Sequence, residues 1–137
     1  MKLADIGPRL RLAVVAAEDR RFYEHSGVDW IAMGRALSSS LFAGRWVSGA
    51  STITQQLARN LMRAPRTTGA KLEVMSMAVR IEATLSKDQI LEQYLNRVDF
   101  GPRIVGAEAA SEHYFEKATR DLSLAEAAAL AGIPRGP

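Results

Sequence analysis

Ala70-Lys71-Leu72-Glu73-Val74-Met75-Ser76-Met77-Ala78-Val79-Arg80-Ile81-Glu82-Ala83-Thr84-Leu85 reads as one helix. Val74, Met77, Ala78, Ile81 and Leu85 recur at helical spacing, and Leu72, Met75 and Val79 widen that stripe. Glu73, Ser76, Arg80 and Thr84 form the polar face. The pattern makes this the central core helix, and the chain around it reads as five or six short helices packed on it. There is no period-2 strand pattern and no Asn-Gly or Asp-Gly hairpin signal. The expected class is all-α, in one domain.

On its N-terminal side, Ser51 or Thr52 caps a helix, and Thr52 with Gln55 reads as a capping box. Ile53, Leu57 and Leu61 make its buried stripe, with Ala58 beside it. Gln55, Gln56, Arg59, Asn60 and Arg63 occupy the other face. That face reads either as solvated surface or as donors for sugars and phosphates. Pro65 stops the helix, and Arg66-Thr67-Thr68-Gly69 is a loop. Arg59, Arg63, Arg66 and Lys71 thus surround one helix-loop-helix corner. The corner suits a diphosphate, and scattered surface charge is the alternative.

Further out, Pro8 suits the first turn of a helix over about 9–20, with Leu10, Val14 and Ala17 inward. Gly27 supplies a turn, and Asp29 is an N-cap for a helix from Trp30 to Phe42. Trp30, Met33, Leu37 and Leu41 fall on one face of that helix. The segment Arg45-Trp46-Val47-Ser48-Gly49-Ala50 reads as a flexible loop. Beyond the central helix, Ser86 with Gln89 opens a helix over 87–95 whose face is Ile90, Leu91, Tyr94 and Leu95. A helix over about 104–115 follows, with Val105, Ala109 and Tyr114 inward. Ser123 with Glu126 opens an alanine-rich helix ending at Gly132.

The chain has 137 residues, 47% hydrophobic and 24% charged, which fits one globular domain. It has no cysteine, which excludes disulfides and thiolate metal sites. A net charge of +3 suits an anionic ligand or a phospholipid surface and makes no case for nucleic acid. No apolar run reaches the roughly 18 residues of a spanning helix. His25 and His113 are the only histidines, and neither stands in a metal-ligand spacing, so no metal site is expected. There is no Walker loop, no Gly-x-Ser-x-Gly elbow and no Gly-x-Gly-x-x-Gly, and no organic cofactor is expected.

The chemistry concentrates in Glu18-Asp19-Arg20-Arg21-Phe22-Tyr23-Glu24-His25-Ser26-Gly27-Val28-Asp29. Adjacent carboxylates stand where a helix ends, next to an aromatic pair. A carboxylate on a rigid element beside apolar side chains can serve as a base. A solvated helix end with locally paired charges is the alternative.

Taken together, these residues resemble the peptidoglycan glycosyltransferases of family 51, the polymerase domains of class A penicillin-binding proteins and of monofunctional transglycosylases. Residues 18–29 are similar to that family's first motif. Gly49-Ala50-Ser51-Thr52-Ile53-Thr54-Gln55-Gln56-Leu57-Ala58-Arg59-Asn60 is similar to its second. Arg66-Thr67, Lys71 and Ile81-Glu82 resemble the third, Ser86-Lys87-Asp88-Gln89-Ile90-Leu91-Glu92-Gln93-Tyr94-Leu95-Asn96 the fourth, and residues 124–134 the fifth.

The resemblance implies a lysozyme-like helical domain over 1–137 that polymerises lipid II into β-1,4 glycan strands with release of lipid pyrophosphate. It implies Glu18 as general base with Asp19 as its catalytic neighbour. Phe22, His25, Ser51, Thr52, Gln55, Gln56, Arg59, Asn60, Arg66, Lys71 and Glu73 become substrate-binding candidates. By the same resemblance Arg59, Arg66 and Lys71 would stabilise the pyrophosphate, with magnesium or manganese as an assisting divalent cation. The loop around Trp46 becomes a membrane-facing flap. The implied partners are lipid II, the growing strand, the membrane surface and a transpeptidase domain. The implied location is the extracytoplasmic face of the bacterial plasma membrane. The chain reads as a segment of something longer, its anchor outside it.

This sequence departs from the family pattern at three residues. Val74 stands where the family carries a second essential glutamate. Glu73 is adjacent, but one residue turns a helix by about 100°, so it lies on the polar face. Arg59 replaces a lysine and Ala50 a glycine. Val74 gives weight to an alternative, a catalytically weak module that binds lipid II or glycan. A lysozyme-like hydrolase is a third reading, disfavoured because a hydrolase needs no diphosphate site.

Overall fold

A computed structural model describes residues 1–43, 51–65 and 67–135. Among these the fold is all-α, as expected. It contains α1 (Pro8–Glu18), α2 (Trp30–Ala43), α3 (Ile53–Met62), α4 (Thr68–Thr84), α5 (Lys87–Arg97), α6 (Ala107–Phe115) and α7 (Leu124–Ala131). Single turns of 3-10 helix lie at Leu3–Asp5, Thr119–Asp121 and Ile133–Arg135. The loop around Trp46, Arg66 and the replacement at Ala50 lie outside the described residues. No helix among the described residues is long and apolar enough to cross a membrane.

Local signals set most helix ends. Pro8 occupies the first turn of α1. Asp29 Oδ1 accepts from the Ala32 N–H at the start of α2. Ser86 and Gln89 form a complete capping box on α5, and Ser123 and Glu126 form another on α7. The Thr67 hydroxyl accepts from the Ala70 N–H, so α4 starts at Thr68, two residues before the expected position.

α3 packs against α4 and α5, and α1 against α7. One core joins them. Leu10 and Val14 of α1 meet Ile53, Leu57 and Ala58 of α3, Val74, Ala78 and Ile81 of α4, and Ile90, Leu91, Tyr94 and Leu95 of α5. The expectation of α4 as the buried centre needs correcting. α4 buries only one face, leaving Leu72 and Val79 exposed, whereas α5 buries four side chains, all apolar but Tyr94.

Two further faces differ from expectation. Trp30, Leu37 and Leu41 of α2 are exposed, Leu41 by 84%, and Leu61 of α3 is exposed as well. Among the described residues no helix lies along α2. Helical spacing identifies an apolar stripe but not the partner that covers it. The expected helix from Ile104 begins instead at Ala107, because Asp99 pairs with Val105 and the Phe100 N–H bonds the Ile104 carbonyl. That shift turns Ala107, Ala110 and Ser111 inward and leaves Val105, Ala109 and Tyr114 exposed.

Gly27 is the turn residue that brings the loop after α1 onto α4. Its φ is +110°, and a Cβ there would sit 3.0 Å from the backbone of Ala78. This close approach seats the 19–29 loop between α1, α3 and α4.

Candidate active site

Glu18 is the last residue of α1 and Asp19 its C-cap. The two carboxylates diverge from there. Asp19 is buried, and its Oδ2 accepts from the Ile53 N–H at 3.1 Å and from His25 Nε2 at 2.6 Å. The Ile53 N–H is the first of α3, so Asp19 places a negative charge at that helix's positive end. His25 Nδ1 accepts from the Gly27 N–H at 3.0 Å. That bond assigns the ring proton to Nε2, pointing at Asp19. Asp19 is therefore a tie between the first motif and α3. Asp19→Ala would strand two buried donors and is expected to lower unfolding stability by about 3 kcal/mol, two hydrogen bonds to a charged group. Urea unfolding of the two proteins measures it.

Glu18 is half-buried and faces α3 on its other side. Gln56 Nε2 donates to Glu18 Oε2 at 3.1 Å, and the Tyr94 hydroxyl donates to Gln56 Oε1 at 2.9 Å. Burial, and then the charge of Glu18, push the Tyr94 phenol far above its ordinary range, so it stays protonated.

The neighbouring Gln55 points elsewhere and is fully buried. Its Nε2 donates to the Gly27 carbonyl at 3.4 Å, and its Oε1 accepts from Lys71 Nζ at 2.8 Å. The expected Thr52–Gln55 capping box is thus half formed. Thr52 Oγ1 accepts from the Gln55 N–H and donates to the Gly27 carbonyl, but the Gln55 side chain is drawn to Gly27 and Lys71. Lys71 Nζ also donates to Ser51 Oγ at 2.6 Å. Burial lowers the Lys71 pKa, and the nearby Arg59 charge lowers it further. Its ammonium rests on two neutral oxygens, a local arrangement that favours an incoming anion.

The remaining candidates separate by exposure. Phe22 is fully buried, with Lys87 Nζ 4.6 Å from its ring centre, and presents no surface to a ligand. The His25 side chain and Thr52 are likewise enclosed. Arg59 is half-buried, and its Nη1 donates to the Pro65 carbonyl. Asn60 is exposed and donates to the carbonyl of Arg97 at the end of α5. Glu73 is exposed on α4, while Val74 is fully buried in the core, so the two residues occupy different faces as expected. The structure therefore gathers Glu18, Gln56, Ser51 and Lys71 around the start of α3, with Asp19, His25, Thr52 and Gln55 beneath, while Arg59 stands in the last turn of α3 with its charge still felt at Lys71.

Spacing along the sequence points to no role for Thr54, Glu82 or Lys87. Glu82 Oε2 accepts from Thr54 Oγ1 at 2.8 Å and from Lys87 Nζ at 2.6 Å, and lies 3.9 Å from His25 Nδ1. This group backs the loop that carries His25. One signal was readable: a tyrosine on the apolar face of α5 must find a partner for its hydroxyl. Among the described residues no three histidine, aspartate or glutamate side chains converge in a group that could hold a metal ion. The corner meant for the pyrophosphate carries Lys71 and Arg59, and Val74 offers no carboxylate there. Among the described residues, the side chains at that corner do not fit a cation held by the protein.

A family model described as Transglycosylase matches residues 1–137. "Penicillin-binding protein 1A" of Neisseria lactamica is 47% identical over 137 residues, which cover 99% of this chain and 17% of that protein. "Penicillin-binding protein 1A" of Escherichia coli K12 is 48% identical over 136 residues, covering 98% and 16%. "Penicillin-binding protein 1F" of Bacillus subtilis 168 is 43% identical over 138 residues, covering 100% and 19%. The chain spans less than a fifth of the length of these relatives.

Proposed function

This chain belongs to the transglycosylase family, and on that premise we propose that it is a peptidoglycan glycosyltransferase domain acting on lipid II. One observation carries the proposal. The start of α3 bonds Glu18 through Gln56 and Lys71 through Gln55 and Ser51. A carboxylate and an ammonium are thereby organised by adjacent residues on one helix. That is what transfer of a sugar from a diphosphate needs: a base at one end of the reaction and positive charge at the other.

In the proposed step the 4-hydroxyl oxygen of the acceptor disaccharide attacks the anomeric carbon of the lipid-linked chain. Glu18 takes the hydroxyl proton. The bond from the anomeric carbon to the pyrophosphate oxygen breaks with inversion, giving a β-1,4 bond. Lys71 and Arg59 receive the charge of the departing lipid pyrophosphate, with Arg66 as a further candidate. Ser51 and Gln55 hold the Lys71 ammonium in place. Magnesium or manganese would have to ride on the diphosphate itself.

The exposed Trp30, Ile31, Leu37 and Leu41 of α2 support a membrane surface as a partner, on the extracytoplasmic side where lipid II is consumed. A transpeptidase domain elsewhere in the full-length protein is a further proposed partner. A second reading, a module that binds lipid II with little catalysis, draws on Val74 lying in the core where the family resemblance calls for a glutamate.

The test is polymerisation of labelled lipid II by this chain in detergent, in magnesium and in EDTA. Glycan polymer in both is the expected result. No polymer, with lipid II still bound, would establish the binding module instead.

A further inference from the structure

We infer that Tyr94 is a positioning residue for the proposed reaction: its hydroxyl sets the Gln56 amide so that the NH2 end meets Glu18. This rests on the reading of Glu18 as the base. Tyr94 lies on α5, is 2% exposed, and sits among Ile90, Leu91 and Leu95. A buried phenol in that setting needs a polar partner, and here it has one, Gln56 Oε1 at 2.9 Å.

A glutamine side chain can present either its carbonyl or its NH2 to a neighbour. Facing an ionised carboxylate, the NH2 end attracts and the carbonyl end repels. Tyr94 settles the choice from the far side. Its buried O–H proton needs an acceptor, and Gln56 Oε1 is the one it meets, 2.9 Å away. The carbonyl is therefore drawn to Tyr94 and the NH2 is left for Glu18 Oε2, 3.1 Å away. Tyr94 touches no reacting atom. It acts through Gln56 on the orientation of the base.

Tyr94→Phe removes only the hydroxyl and leaves the ring in the core. With lipid II as substrate, kcat is expected to fall about tenfold, the value of one hydrogen bond, with KM unchanged. In a Gln56→Ala background the same substitution is expected to do nothing further, because its route to Glu18 is already gone. The Gln56 side-chain amide resonances, assigned by their loss in Gln56→Ala, should move in Tyr94→Phe without any turnover being needed. An equal loss in both backgrounds, or an unmoved amide, would overturn the inference. Glu18→Gln in the same assay keeps the two readings apart. Full activity there sinks the base, while the amide resonances still report on Tyr94.

Discussion

Glu18→Gln is expected to slow lipid II polymerisation by at least about 100-fold, the lower end of what a positioned general base contributes. The substitution keeps the shape of the side chain and removes its ability to take a proton. The Gln56 Nε2 donor can bond the new amide carbonyl as it bonds Glu18 Oε2. Nothing in the core changes, because Glu18 is half-buried at the end of α1 and contributes no apolar packing there. Urea unfolding should therefore shift by less than about 1 kcal/mol, and lipid II binding should persist. The loss should appear in kcat, since the proton moves only in the transition state. Asp19 offers no substitute base, because its Oδ2 is committed to His25 and the start of α3. Polymerisation at the parental rate would remove Glu18 from the mechanism.

What the sequence made legible, and what it hid, follows the range of the interactions. The boxes at Ser86 and Ser123, the turn at Gly27 and the start of α1 at Pro8 are contacts between close neighbours, and they stand where spacing put them. The Val74 face was legible too, since one stripe of α4 carries Val74, Ala78 and Ile81 inward. Gln55 was not. Read along α3 it belongs with Gln56 on a polar face, yet it is buried because the Gly27 carbonyl and Lys71 come to it from other elements. The same tertiary pull undid its capping box. α2 shows the opposite case, an inward pattern with nothing described to cover it. The Tyr94–Gln56–Glu18 chain joins α5, α3 and α1, and the local pattern announces only that the Tyr94 hydroxyl needs a partner, not which residue supplies it.

Lys71→Met should lower kcat/KM for lipid II by about 100-fold, the scale of removing one preorganised donor from a developing anion. Methionine keeps the length of the stem and discards the charge. Charge grows on the pyrophosphate as its bond to the sugar breaks, so the deficit should lie more in kcat than in KM. The structure adds a pH signature. Burial and Arg59 hold the Lys71 pKa below the ordinary lysine range. The useful form is the ammonium, and it is lost as pH rises through that lowered pKa. The parent's kcat/KM should therefore fall on an alkaline limb that begins earlier than for an exposed lysine. Lys71→Arg remains charged throughout and should abolish that limb. Its activity should nevertheless stay below the parent's, because a planar fork cannot reproduce the bonds from one ammonium to Ser51 Oγ and Gln55 Oε1. Rate profiles of the parent and Lys71→Arg from neutral to alkaline pH make the comparison. Coincident limbs would mean that another group governs it, and that the charge at the head of α4 does not receive the leaving group.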